Sequence, residues 1–294
     1  MTMRRDVRRN PDLAAYIRRI ESHVGAFDKR LLEKIPTKEE LNKKLAYKTV
    51  FFILLFPTAY FLTAMYTESL FLFLTLLFFW YTRRGDFRKA GLIGFLASLT
   101  RIQGAILFLP MLYIYLREKK FKAKSIRPDI LLTLLIPAGI FTFLLYLYIL
   151  TGNPFMQFDV QKEEWGRGLT FPLFSLSDAV IRAFTSTNII EQFYYSFNFL
   201  IVTSFLILIL FSFKQLPYEY GFYSLLSISM PLFTGSLFSM TRFVLVLFPA
   251  FMIIAKIDNE NKTVSLFLKF IYIVFIILLV LFTIRHVNED IYLI

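Results

Sequence analysis

Long apolar runs, separated by short polar segments, make up most of the chain from about residue 47 onward. Several of these runs approach the roughly 20 residues that an α-helix needs to cross a bilayer. The pattern predicts an all-α, polytopic integral membrane protein with about eight or nine transmembrane helices. The predicted spans are 47–63, 68–82, 90–100, 103–116, 130–150, 197–213, 220–238, 242–256 and 264–284.

Two polar segments lie within this apolar sequence: Tyr-Thr-Glu-Ser at 66–69 and Thr-Arg-Ile-Gln-Gly at 100–104. A charge at the centre of a bilayer costs roughly 2.5–3.5 kcal/mol, so Glu68 and Arg101 are expected to mark a site. The apolar runs on either side of Arg101 are short, which predicts a hairpin of half-helices over 90–116 with Arg101 at or near its tip. Irregular backbone at that depth is tolerated where it lines a cavity or is buried in protein.

Basic residues are concentrated in two loops, 83–89 and 117–127, and in the first 45 residues. Cytoplasmic loops carry the Lys/Arg excess in membrane proteins, so both loops and the N-terminus are expected on the cytoplasmic side. Alternation of the spans then places 27 of the 33 Lys and Arg residues on that side. The net charge of +12 is therefore explained by topology, and no nucleic-acid partner is expected.

The chain is expected to have four parts. Residues 1–45 form a basic cytoplasmic helical arm that lies on anionic lipid, with a regulatory or partner-binding arm as the alternative. No cleavable signal peptide is visible, so the first span is expected to be an uncleaved anchor. Membrane helices follow over 46–150 and 197–294, in a plasma or endoplasmic reticulum membrane. Between them, 151–196 is expected to be a non-cytoplasmic loop with an interfacial helix capped by Ser177.

The residue inventory limits the possible chemistry. The chain has no cysteine, which excludes disulfides, cysteine-ligated zinc and thiol catalysis. It has no Asp-x-Asp, Gly-rich phosphate loop or histidine cluster, so neither a metal nor a cofactor is expected. His23 and His286 lie in the terminal segments and are not expected to act as ligands. The charged residues Glu68, Arg101 and Arg242 instead fall together on the predicted non-cytoplasmic side.

Four stretches, in order, resemble the PIG-V-type family of membrane mannosyltransferases, which is related to the enzyme that adds the second mannose of GPI anchors. The similarity covers about residues 48–256. The stretches are Phe-Pro-Thr-Ala-Tyr-Phe-Leu at 56–62 with Tyr-Thr-Glu-Ser-Leu-Phe at 66–71, Leu-Thr-Arg-Ile-Gln-Gly at 99–104, Gly-Asn-Pro at 152–154 leading to Trp-Gly-Arg at 165–167, and Thr-Arg-Phe at 241–243 before Phe-Pro at 248–249.

This resemblance implies a GT-C architecture with an active site on the non-cytoplasmic face. It implies transfer of a sugar from a polyprenyl-phosphate carrier, such as dolichyl-phosphate-mannose, to a lipid or glycan acceptor. Membrane lipid is the other expected partner.

Transfer from a lipid phosphate needs fixed positive charge and a carboxylate that accepts the acceptor's proton. Arg101 and Arg242 are the candidate phosphate ligands. The alternative for Arg101 is a structural ion pair to Glu68. The alternative for Arg242 is a snorkelling arginine at the membrane interface. Glu68 either orients Arg101 or a sugar hydroxyl, or acts as the base, and Asp159 is the other candidate base. Further candidates for binding substrate are Tyr66, Gln103, Trp165 and Arg167, with anchoring at the lipid headgroups as the alternative for the aromatic and basic members.

One departure from the family pattern concerns its first outer loop. Such enzymes carry an acidic residue there, often after a tryptophan, and this chain has no Trp-Asp. The explanations that stay open are a truncated chain, a partner subunit that supplies the missing loop, and an inactive enzyme. The alternative functions are therefore a non-catalytic membrane subunit and a transporter, although a transporter usually has carboxylates within its spans.

Overall fold

The structure, a computed structural model, describes residues 38–288, without the side chains of 38–41 and Trp165. The chain divides into a unit of residues 1–46 and a unit of residues 47–294. Most of the predicted basic arm, 1–45, lies outside the described residues, as do the last six residues. The following account concerns the second unit.

Residues 38–288 form helices and turns, and no strand occurs among them. The all-α prediction is confirmed for this part of the chain. Short 3-10 helices lie at Ala59–Leu62, Ile102–Leu107, Ala123–Ser125 and Pro128–Leu134. The α-helices are α1 (Lys38–Leu54), α2 (Glu68–Thr82), α3 (Phe87–Thr100), α4 (Phe108–Glu118), α5 (Leu135–Thr151), α6 (Met156–Trp165), α7 (Pro172–Thr185), α8 (Ile189–Gln215), α9 (Tyr218–Leu232), α10 (Met240–Val244), α11 (Phe248–Glu260) and α12 (Lys262–Val287).

Three helices in the described part of the chain are long and apolar enough to cross a membrane. They are Pro128–Thr151, which joins a 3-10 turn to α5, together with α8 and α12. Only 6% of the apolar window of α12 is buried in the protein. A helix that exposes apolar side chains all along its length requires an apolar surrounding, which a bilayer supplies. The helix α2 is a shorter apolar helix of the same kind.

Several predicted spans are divided in the structure. The predicted span 47–63 ends as an α-helix at Leu54 and continues as the 3-10 helix Ala59–Leu62. The interruption precedes Pro57, and a proline disfavours helical backbone at the residue before it. The predicted span 242–256 is likewise divided into α10 and α11, with Pro249 in the first turn of α11. Proline fits that position because the first turn of a helix needs no internal N–H donor.

The segment 151–196, predicted as a loop with one interfacial helix, contains α6, α7 and the start of α8 at Ile189. The prediction that Ser177 caps a helix is wrong, since α7 begins at Pro172. Ser177 lies inside α7, and its Oγ donates to the carbonyl of Phe174 at 3.1 Å. The prediction missed the stronger start signal, a proline at the first helical position. The exposed face of α7 carries large apolar side chains, among them Phe174, Ile181 and Phe184.

The chain breaks at Arg101 as the sequence predicts. Arg101 has extended backbone (φ −151°, ψ 142°) between α3 and the 3-10 helix Ile102–Leu107. The next residues turn back onto α3. Gly104 packs there so closely that an added Cβ would lie 2.4 Å from the backbone of Ala97. Glycine is therefore required where this 3-10 helix packs against α3. The contact places Arg101 and Gln103 beside the C-terminal end of α3.

An aromatic core lies between α2, α9 and α11. The ring of Phe79 lies 5.6 Å from that of Tyr223 and 5.7 Å from that of Phe248, and Tyr223 and Phe248 are 5.8 Å apart. Tyr223 is fully buried, and its hydroxyl donates to the carbonyl of Val246 at 3.0 Å. Offset and edge-to-face ring packing of this kind adds to the free energy gained from burial. The core therefore fixes α2 relative to the segment that carries α10.

Candidate functional site

The candidate site is built around Glu68, the first residue of α2. Its side chain has no exposed surface. The carboxylate oxygen Oε1 accepts hydrogen bonds from Nη1 of Arg101 and from Nε of Arg242. Arg101 is 33 residues and Arg242 is 174 residues away along the chain. A buried carboxylate is tolerated when opposite charges and hydrogen bonds compensate its loss of hydration, as both arginines do here.

Neighbouring polar side chains fix the position of Arg101. Its Nε donates to Oε1 of Gln103 at 3.0 Å, and its Nη1 lies 3.4 Å from Oγ1 of Thr67. Gln103 in turn donates from Nε2 to the carbonyl of Ser227 in α9 at 3.4 Å. Arg101 is bound to Glu68 at one end of this chain of bonds, and Gln103 is bound to α9 at the other. The guanidinium is therefore held in one orientation. The side chain of Arg101 is 9% exposed.

Three hydrogen bonds from two other parts of the chain, Thr58 and α8, fix α10, and with it Arg242. Thr58 donates from Oγ1 to the carbonyl of Thr241 at 2.9 Å. The amide of Thr241 donates to Oδ1 of Asn198 at 3.2 Å, and the amide of Ser239 donates to the hydroxyl of Tyr194 at 2.7 Å. A helix of five residues has little stability of its own, so these bonds determine where Arg242 lies.

Aromatic rings line one side of Arg242. Its guanidinium carbon lies 4.3 Å from the ring centre of Tyr66 and 4.9 Å from that of Phe61. Both distances are within the range of a cation–π interaction. The terminal nitrogens Nη1 and Nη2 donate no hydrogen bond to another described residue. Since the side chain is 21% exposed, these donors are available to a ligand.

A third arginine, Arg167, lies close to the other two. Its Nη2 donates to the carbonyl of Phe238 at 3.0 Å. The guanidinium carbons of Arg167 and Arg101 lie 5.7 and 5.4 Å from the ring centre of Phe243. Burial lowers the pKa of Arg167, and the charge of Arg242 acts in the same direction. A guanidinium nevertheless stays charged, so the site holds three cations and the single carboxylate that two of them share, and it has excess positive charge.

Two buried polar atoms of this cluster have no partner within the described part of the chain. They are Oε2 of Glu68 and Nε of Arg167. A buried donor or acceptor without a partner costs about 1–3 kcal/mol. Such atoms are typical of sites that a ligand or an ordered water completes.

A cavity of about 190 Å³ opens beside Arg101, between the end of α3, α5 and α6. Its polar lining residues are Ser98, Thr100, Arg101 and Gln157. The remainder of the wall is mainly apolar and includes Phe143, Leu147 and Phe158. A cationic group next to an apolar chamber is suited to a ligand with an anionic head and an apolar tail.

Asp159 lies apart from the arginines. It is exposed on α6, where its Oδ2 accepts a hydrogen bond from Nδ2 of Asn153 at 2.7 Å. The structure gives it no ion pair with a described residue. Its neighbour Phe158 lines the cavity that Arg101 also lines, and Asp159 itself is not one of the lining residues. The side chain of Trp165, another predicted site residue, lies outside the described side chains.

The structure therefore brings together Glu68, Arg101, Gln103, Arg242 and Tyr66, with Arg167 joined through a shared aromatic ring. A residue that the sequence analysis set aside, His286, also lies here. Its ring centre is 5.0 Å from that of Tyr60 and 5.9 Å from that of Tyr66. The signal that was available is the pair of basic residues, Arg285 and His286, in the last turn of a long apolar helix.

Comparison of the chain with protein-family models, with curated proteins and with solved structures found no match.

The shared carboxylate gives a first testable prediction. Replacement of Glu68 by Gln removes the negative charge that Arg101 and Arg242 share. We expect the free energy of unfolding to fall by about 3–5 kcal/mol. Asp178→Asn is the matched control, since it breaks an exposed pair with Arg182 that is worth at most about 1 kcal/mol. Thermal unfolding of both variants in detergent checks this. Equal unfolding temperatures would contradict a structural role for the shared carboxylate.

Proposed function

We propose that this chain is a multi-pass membrane glycosyltransferase of the GT-C type. It moves a sugar, mannose by the resemblance to the PIG-V-type family, from a polyprenyl-phosphate or dolichyl-phosphate carrier to a lipid-linked or glycan acceptor. The reaction takes place on the non-cytoplasmic face. The observation that carries the proposal is the carboxylate of Glu68, which Arg101 and Arg242 share, with Arg167 close by and an apolar cavity that Arg101 helps to line.

The phosphate of the carrier binds Arg101 and Arg242. Guanidinium groups match phosphate oxygens in geometry and keep their charge in a partly apolar site. Glu68 holds the two guanidinium groups in fixed positions. It leaves the terminal nitrogens of Arg242 without a partner among the described residues. Arg167 adds further positive charge at the same place. Preorganised cations of this kind stabilise the negative charge that develops on the leaving phosphate.

The apolar part of the carrier lies against the cavity wall formed by α5 and α6. This wall includes Phe143, Leu147 and Phe158. With about 190 Å³, the cavity accepts only the part of the tail next to the phosphate. The remainder of a polyprenyl chain extends along the exposed apolar face of α5, which lipid surrounds.

In the transfer step the acceptor oxygen forms a bond to the anomeric carbon of the sugar. The bond from that carbon to the phosphate oxygen breaks, and the phosphate keeps the electron pair. A carboxylate takes the proton of the acceptor hydroxyl. Glu68 is poorly suited to this role because proton uptake would leave two cations uncompensated, so it acts as the orienting group. Asp159, exposed and next in the chain to the lining residue Phe158, acts as the base.

The proposed topology has about eight or nine spans, with shorter and broken helices completing the membrane domain around α5, α8 and α12. The two basic loops lie on the cytoplasmic side with the N-terminus, and the arginine cluster lies on the opposite side.

Because the chain contains no cysteine, one introduced thiol reports the topology without background. Lys122 and Glu163 are both exposed. We expect a membrane-impermeant thiol reagent added outside intact cells to label the Glu163→Cys variant. The Lys122→Cys variant should react only after the membrane is permeabilised. The opposite pattern would invert the proposed sidedness and remove the proposed reaction site.

Phosphate recognition is tested with conservative arginine replacements. Arg101→Lys and Arg242→Lys keep the positive charge and lose the planar set of donors, so we expect binding of dolichyl-phosphate-mannose to weaken about tenfold or more. Arg182→Lys, on the exposed face of α7, is the control and should bind as the unmodified protein does. Binding of the radiolabelled lipid to protein in nanodiscs measures the effect. Unchanged binding in both site variants would contradict the assignment.

The assignment of the base is tested with Asp159→Asn. Loss of a general base lowers the rate of the chemical step by about 10²–10⁴-fold, and donor binding should stay the same. Glu163→Gln, an exposed acid on the same helix, should have normal activity. Mannose transfer to a mixture of membrane acceptors, measured beside donor binding, separates the two effects.

A second function is favoured by one observation. Within residues 38–288, Glu68 is the only carboxylate that contacts the arginine cluster, and it is fully enclosed. A non-catalytic subunit that binds the lipid-phosphate carrier for a partner would have this arrangement. In that case the partner subunit supplies the acidic loop absent from this chain. Donor binding without transfer, in the unmodified protein, would support the subunit over the enzyme.

A further inference from the structure

A basic surface lies at the ends of α2 and α3 that are remote from the candidate site. It consists of residues 83–89 and 117–127, and we call it the basic surface. The two segments contain ten Lys or Arg residues and two Asp or Glu residues. The helix α2 has 15 residues, so the loop after it lies about 22 Å from Glu68 along the helix axis. The cations of the basic surface are therefore separate from Arg101 and Arg242.

Contacts hold the two segments side by side. The ring centres of Phe87 and Tyr115 lie 5.1 Å apart, and a Cβ added to Gly85 would lie 3.7 Å from the carboxylate of Glu118. The hydroxyl of Tyr115 accepts a hydrogen bond from the amide of Arg127 at 3.1 Å. The cations of both segments therefore lie on one surface.

The described part of the chain neutralises only a fraction of this charge. Arg117 donates from Nη1 and Nη2 to the two carboxylate oxygens of the buried Glu219, at 2.8 and 3.2 Å. Lys120, Lys122 and Lys124 are exposed and form no ion pair with a described residue. Exposed cations that the protein leaves uncompensated create a positive potential, which attracts anions.

Two features indicate that the basic surface lies at the level of the lipid headgroups. Pro128, the residue after Arg127, begins one of the helices that are long and apolar enough to cross a membrane. The segment 117–127 therefore ends where the chain enters the bilayer. The second feature is aromatic. Trp80 and Phe121 are 54% and 60% exposed, and the guanidinium carbon of Arg84 lies 3.8 Å from the ring centre of Trp80. Exposed tryptophan rings are typical of the membrane interface.

We propose that the basic surface binds the headgroups of anionic phospholipids. By the proposed topology, these lipids belong to the cytoplasmic leaflet. Clusters of about four to eight Lys or Arg residues next to a membrane helix attract anionic lipid, and residues 117–127 contain six. The lysines pair with the lipid phosphate, while Trp80 and Phe121 contact the adjoining acyl chains. A zwitterionic headgroup carries the same phosphate together with its own ammonium group, which the lysines repel.

Native mass spectrometry of the full chain in detergent micelles tests the proposal. Phosphatidylglycerol is the probe, and zwitterionic phosphatidylcholine is the comparison. We expect the first phosphatidylglycerol to bind about tenfold more tightly than the first phosphatidylcholine. Replacement of Lys120, Lys122 and Lys124 together by Gln should weaken phosphatidylglycerol binding about tenfold or more, because each cation near an anionic surface contributes about fivefold.

Two control variants separate the effect of charge from other effects. Replacement of the same three lysines by Arg keeps the charge and should leave phosphatidylglycerol binding unchanged. Replacement of Lys162 and Arg182 by Gln removes two exposed cations from α6 and α7 and should also leave it unchanged.

Thermal unfolding distinguishes lipid binding from a structural role. Because Lys120, Lys122 and Lys124 are exposed and unpaired among the described residues, their Gln variant should unfold in phosphatidylcholine at the temperature of the unmodified protein. A lower unfolding temperature there would show that the lysines stabilise the fold, and would overturn the proposal.

The binding measurements have two further outcomes that would overturn it. Equal affinity of the unmodified protein for the two lipids would leave the basic surface to an acidic protein partner. A preference for phosphatidylglycerol that the triple Gln variant keeps would place the anionic lipid on other cations.

The experiment separates this proposal from the proposed function. Arg101→Lys should weaken binding of dolichyl-phosphate-mannose and leave the preference for phosphatidylglycerol unchanged, since Arg101 lies at the other end of α3. Binding of phosphatidylglycerol without binding of the donor would contradict the lipid-phosphate reaction alone. Binding of the donor without a preference for phosphatidylglycerol would overturn the assignment of the basic surface alone.

Discussion

The candidate site depends on one carboxylate that two arginines share. A charged group taken out of water loses several kcal/mol of hydration, which is regained only when opposite charges and hydrogen bonds surround it. Glu68 begins α2, Arg101 occupies the break after α3, and Arg242 lies on α10, so one buried charge joins three elements. The third cation, Arg167, has no carboxylate partner among the described residues. The excess positive charge is what makes the site suitable for an anion.

Interrupted helices make this arrangement possible. Arg101 follows the last residue of α3, and Arg242 lies in the five-residue helix α10, where side chains from different elements converge. The 3-10 helix after Arg101 packs directly on the backbone of α3 through Gly104. The helix α10 is held by side chains of Thr58 and Asn198. Irregular backbone in a membrane protein must have its polar groups satisfied by the protein itself, and these contacts do so.

Part of the site was predictable from sequence because its residues stand out locally. Glu68 and Arg101 are charges in apolar surroundings, and their ion pair was one of the alternatives considered for Arg101. The partner of Arg242 was not predictable, since 174 residues separate it from Glu68 and a snorkelling arginine has the same local pattern. His286 was set aside for a similar reason. Its position near the end of the chain gives no indication that α12 packs against Tyr60.

The sequence by itself determined the helical class of the chain, the apolar character of α5, α8 and α12, and the break at Arg101. These properties follow from composition and periodicity over some 20 neighbouring residues, so they can be read without knowledge of packing. The tertiary structure decided which charges meet, where α10 lies, and that the rings of Tyr60 and His286 lie 5.0 Å apart. Those contacts join residues distant along the chain, and their geometry depends on how side chains of several helices pack together.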